Sequence, residues 1–150
     1  MLSGPSLSRH DGWRALTAVP DKFRHFSVES YFRESWDAVQ ATFGAETVDA
    51  LQRVAVLTVK PDGVITRAAP ECLNFLAENG FRPIGCRIFH YDRTTSREIW
   101  RFQWNIATLD RLRVADAIHA CAPALMVLVE DTGHDSNRTL PATVRLAGLK

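Results

Sequence analysis

The spacing of apolar positions changes several times along the chain, and each change marks an element. Residues 1–22 mix Ser, Gly, Pro and both charges without a period, which predicts a flexible leader over 1–26. Over 27–43 the pattern becomes helical. Tyr31, Phe32, Trp36, Val39 and Phe43 recur between Glu29, Arg33, Glu34 and Asp37, so an amphipathic helix closed by Gly44 is expected, with a short helix over 45–52 after it. Together, 27–52 reads as a helical extension. The run Val54-Ala55-Val56-Leu57-Thr58-Val59 is nearly continuous and branched, the pattern of a strand buried on both faces at the centre of a sheet.

Beyond the Pro61-Asp62-Gly63 turn, Ala69, Cys72, Leu73 and Leu76 mark one face of a helix that Asn79-Gly80 stops. Ile84, Cys86 and Ile88 alternate with Gly85, Arg87 and Phe89, predicting a strand over 82–91 whose start is held at an edge or bend by Pro83. "TTSREIWRFQW" opens on hydroxyl caps, and "LDRLRVADAIHACA" carries Leu109, Leu112, Ala115, Ile118 and Ala122 on a face, so two helices follow in succession. "ALMVLV" at 124–129 is a third apolar strand. A weaker helix, interrupted by Pro141, is expected over 138–149. Strands interleaved with helices imply an α/β or α+β fold in which helices cover a small sheet, and three strands leave an edge that must itself be covered.

A length of 150 residues, 46% hydrophobic and 23% charged, suits a single globular core. The formal charge of +1 supplies no basic footprint for nucleic acid and no polybasic tract for a membrane surface, so neither partner is expected. No basic, apolar signal segment and no run of about 18 apolar residues occurs, which leads to the expectation of a cytoplasmic protein. Cys72, Cys86 and Cys121 are far apart and set in apolar patterns, so buried, reduced thiols are expected. No two of the five histidines have the spacing of a metal site.

Lys60 is the residue on which function turns. It ends an apolar strand just before a turn into a helix, a place where a lysine either is solvated beside the turn or neutralises a phosphate in a crevice at the strand ends. The residues alone leave both open. Glu130 and Asp131 are adjacent carboxylates at another strand end, read as a solvated terminus. Arg93, Arg97, Arg101, Arg111 and Arg113 are interspersed with Asp92, Glu98 and Asp110, the pattern of a salt-bridged helical surface. Trp100, Phe102 and Trp104 form an aromatic segment expected to be core or interface.

The stretch "VAVLTVKPDGVITRAAPECLNFLAENGFRPIGCRIFHYD" resembles the first strand, helix and second strand of nucleoside diphosphate kinases, with Lys60-Pro61-Asp62-Gly63 and Asn79-Gly80-Phe81 in the family's motif places. The likeness resumes at "CAPALMVLVED", through Pro123 and Glu130, and spans 53–150. It implies a nucleoside diphosphate kinase-like domain over those residues. The implied fold is α+β and ferredoxin-like, an antiparallel sheet with helices on one face. In this family a γ-phosphoryl passes from a nucleoside triphosphate to a histidine and then to a nucleoside diphosphate, with Mg²⁺ on the phosphates; positioned cations carry much of the stabilisation.

By this resemblance Lys60 contacts phosphate, Trp100 occupies the place of an active-site tyrosine, and Arg145 matches a phosphate-binding arginine, one residue short in its spacing to the following glycine. The family's Arg-Pro-Phe-Phe signature is replaced by "NIATLDRL", which has no ring to stack on a base. The Asn-x-x-His-Gly-Ser-Asp signature and the fourth strand would fall after Lys150. His134, in "DTGHDSN", follows the third strand and reads as a loop residue, while His90 and His119 read as packed residues rather than catalysts. The expectation is a degenerate member that binds a nucleotide or another small ligand without histidine phosphotransfer, or acts as an interaction module; the alternative is an enzyme, completed by absent sequence or recruited to other chemistry. The open sheet edge would be covered by the helical segment 27–52, by a second copy of the chain in a homo-oligomer or by a protein partner.

Overall fold

A computed structural model describes residues 9–133 and 140–149. The chain divides into two compact units, one of residues 9–55 with 140–149 and one of residues 56–133.

The first unit is helical: α1 (Arg9–Ala15), α2 (Pro20–Val28), α3 (Ser30–Phe43), a 3₁₀ turn (Gly44–Glu46), α4 (Thr47–Arg53) and α10 (Ala142–Ala147). Two helices therefore stand where the irregular composition suggested a leader. Their apolar signal is carried by Trp13, Phe23 and Phe26, isolated rings among charged residues, and Pro20 supplies the fixed φ that opens α2. The single helix expected over 27–43 is broken at Glu29, whose ψ of 121° is extended. Gly44 closes α3 as expected, at φ 56°.

Trp13 and Trp36 form the centre of this unit, edge to face with centroids 6.3 Å apart and both almost fully buried. Phe32 joins them, and Phe26 stacks on Phe32 at 4.0 Å. The indole N–H of Trp36 donates to Gln40 Oε1 at 3.1 Å. Gly12 admits the second indole: a Cβ there would lie 2.8 Å from two ring carbons of Trp36. Tyr31 and Phe43, expected on the buried face of α3, are instead exposed.

The second unit is a small antiparallel sheet with helices. Strand β1 (Val54–Val59) runs into it, followed by α5 (Pro61–Ile65), α6 (Ala69–Glu78), β2 (Phe81–Phe89), α7 (Arg93–Ile99), α8 (Arg101–Trp104), α9 (Leu109–Ala120) and β3 (Ala124–Asp131). The strand order is β1-β3-β2, an α+β architecture with three strands. β2 and β3 pair antiparallel from Phe81 opposite Asp131 to Phe89 opposite Ala124, with a bulge between Pro83 and Gly85. The bulge falls where a proline cannot donate to the ladder.

The order corrects one expectation. β3, not β1, is the central strand: Ala124, Val127 and Val129 are buried, whereas Val56 on β1 is exposed. Apolar runs of similar composition report burial, not neighbours. No strand pairs with the outer edge of β1 among the described residues. All three cysteines are exposed, again contrary to expectation. Cys86 lies in the uncovered middle of edge strand β2, Cys72 on the outer side of α6, and Cys121 past the end of α9, where its thiol donates to the Ile118 carbonyl at 2.9 Å. No helix among the described residues is long and apolar enough to cross a membrane.

Candidate functional site

Lys60 stands at the junction of β1 and α5 in extended conformation, φ −68° and ψ 166°. The expected Pro-Asp-Gly turn is a short helix, because Pro61 fits a first helical position and the Val64 N–H closes on the Lys60 carbonyl at 3.0 Å. Pro61 is buried, which fixes the backbone beside it. The Lys60 side chain is exposed and makes no ion pair among the described residues.

The segments after β2 carry a buried polar and aromatic cluster. Asp92 caps α7, accepting the Thr95 N–H at 2.6 Å, which holds its carboxyl below the usual range. That cap sets Ser96 one turn on, pointing inward and almost fully buried. Ser96 Oγ and His119 Nδ1 share a hydrogen bond of 2.7 Å, joining α7 to α9. Trp104 Nε1 donates to the Ser96 carbonyl at 3.0 Å, so α8 is tied to the same point.

His119 is enclosed by rings. Trp100 stacks on it with centroids 4.7 Å apart and planes at 22°, and Tyr91 lies 4.9 Å away. Burial first, then the charge of Lys60, holds the imidazole below its ordinary pKa, with Asp116 and Asp62 opposing. The ring is consequently neutral at pH 7. Tyr91 is buried and hydrogen-bonded to Thr58 on β1; burial pushes its phenol above the usual range and the Thr58 bond opposes that shift. Asp116, one turn before His119, is held by Arg97 at 2.8 Å and reached by Arg93 at 3.6 Å.

Lys60 and Trp100 thus belong to one unit: Trp100 stacks on His119, and the charge of Lys60 acts on the same imidazole. Arg145 lies on α10 in the other unit. One face of the Trp100 ring is committed to the imidazole. Thr58, Tyr91, Ser96 and Asp116 carried no motif signal, and His119 is packed as its apolar neighbours implied. His90 is exposed, and His134 lies outside the described residues. Glu130 pairs with Arg82 across the β2–β3 ladder, and Asp131 is buried with Oδ1 accepting the Gly133 N–H at 3.0 Å, so this carboxylate pair is not a solvated terminus. Arg101 and Arg113 pair with Glu98 and Asp110 as expected, whereas Arg97 pairs with Asp116, which the sequence pattern did not single out.

Among the described residues no group of three His, Cys, Asp or Glu side chains is placed to hold a metal ion. Comparison with protein-family models and with curated proteins finds no match for the chain.

Proposed function

We propose that the second unit is a degenerate, nucleoside diphosphate kinase-like domain that binds a nucleotide, or another small anionic ligand, at the end of β1 without histidine phosphotransfer. The observation that carries this reading is Lys60: an exposed cation without an acidic partner among the described residues, set beside a buried neutral imidazole. A lysine there acts as a point charge toward a phosphate, and the charge of Lys60 is felt at the nearby imidazole of His119. The strand order supports a ferredoxin-like sheet, because a fourth strand on the outer edge of β1 would complete that arrangement. That edge suits a second copy or a protein partner. Mg²⁺ bound to the phosphates would neutralise charge that Lys60 alone does not balance.

The setting of His119 speaks against phosphotransfer. A phosphoryl acceptor needs a nitrogen lone pair open to in-line approach. Here Nδ1 is engaged by Ser96, and Nε2, though without a hydrogen-bond partner among the described residues, belongs to a buried ring packed against Trp100 and Tyr91. Incubation with γ-labelled ATP should leave the chain unlabelled after acid-sensitive detection. An acid-labile phosphoenzyme that disappears in His119→Ala or His134→Ala contradicts the reading.

A further inference from the structure

We propose that an anion held at Lys60 is coupled to proton uptake by His119, so that the site binds its ligand more tightly as pH falls. The coupling rests on the anion-site reading of Lys60. His119 sits on α9, which packs against α5, the helix that Lys60 begins, and against α7. Its Nδ1 is engaged by Ser96, and its Nε2 has no hydrogen-bond partner among the described residues.

The charges that act on the ring are Lys60 and Asp62 at α5 and Asp116 on α9 itself; Tyr91 after β2 lies against it, and Arg93 and Arg97 on α7 engage Asp116. Asp116 is already engaged by the two arginines, and Tyr91 remains a neutral phenol. Lys60 is the nearby cation that a ligand can neutralise. In the empty site its charge and the burial of the ring both disfavour imidazolium. An anion on Lys60 offsets the first of these, and by linkage a proton on His119 then favours the anion by the same factor.

The cluster accommodates the proton without rearrangement. Ser96 Oγ can accept from Nδ1–H as readily as its hydroxyl can donate to the bare nitrogen. Trp100, stacked on the imidazole, presents a π-face to the cation that forms. The ring therefore changes charge in place.

Sulfate is a suitable probe, because it keeps a constant double charge between about pH 5.5 and 8, the range in which a histidine titrates. The His119 ring protons, assigned by through-space contacts to Trp100, are followed by NMR across that range with sulfate or with chloride at matched ionic strength. In the native chain sulfate should move the His119 midpoint upward. Lys60→Ala should raise the midpoint without sulfate and abolish the sulfate effect, while Lys60→Arg should retain it. Sulfate-induced shifts of the backbone amides at 62–64 report occupancy independently. Absence of those shifts, or their survival in Lys60→Ala, overturns both the site and the coupling. Lys60-dependent shifts with an unmoved His119 midpoint overturn the coupling alone.

Discussion

Trp36→Ala should lower stability by about 3–5 kcal/mol, read as a fall in the urea midpoint by far-ultraviolet circular dichroism. The indole is 4% exposed, meets Trp13 edge to face, lies against Phe32, and fills the space that Gly12 leaves open. Truncation removes all of these contacts at once. It also leaves Gln40 without the indole donor, although that amide lies near enough to solvent to be rehydrated at small cost. Trp36→Phe, which keeps a ring but loses part of the volume, should cost less than half as much. Equal losses for the two variants would mean that the aromatic cluster is not the core of the helical unit.

His119→Ala should lower stability by about 2–4 kcal/mol and change the near-ultraviolet signal of Trp100. Two effects combine. The ring is 7% exposed and fills the space between Trp100 and Tyr91, so its loss leaves a void, and the buried hydroxyl of Ser96 loses its partner. Ser96→Ala isolates the second effect, with an expected loss of about 1–3 kcal/mol and little change in ring packing. A His119→Ala protein as stable as the native chain would mean that the imidazole does not hold this cluster together.

Much of the second unit is readable from spacing. The apolar runs of β1 and β3 and the Asn79-Gly80 stop of α6 need no tertiary information, and Gly80 adopts the left-handed φ of 78° that such a stop requires. Pro83 marks the bulge for the same local reason. What spacing does not carry is adjacency. β1 and β3 are both branched and apolar, and only pairing makes β3 the centre. In the first unit, α1 and α2 escape a period-based reading because single aromatic rings rather than a continuous stripe supply their buried surface. The cysteines mislead in the opposite sense: an apolar sequence context did not place Cys86 under a helix, because β2 is an edge strand.

The candidate site was legible in part. Lys60 stands out as the charge that ends an apolar run, and Trp100 lies in a segment whose rings mark it as core or interface. Ser96 and His119 are 23 positions apart and make their bond only because α7 and α9 pack together. No spacing rule joins them. The resemblance that carries Lys60 says nothing about His119, whose bond to Ser96 depends on tertiary packing alone.

Calorimetric titration of the native chain with ADP and Mg²⁺, repeated on Lys60→Ala, tests the anion site most directly. Saturable heat that Lys60→Ala abolishes and Lys60→Arg preserves is the expected result; no heat with the native chain, or heat that persists in Lys60→Ala, contradicts a nucleotide site at Lys60.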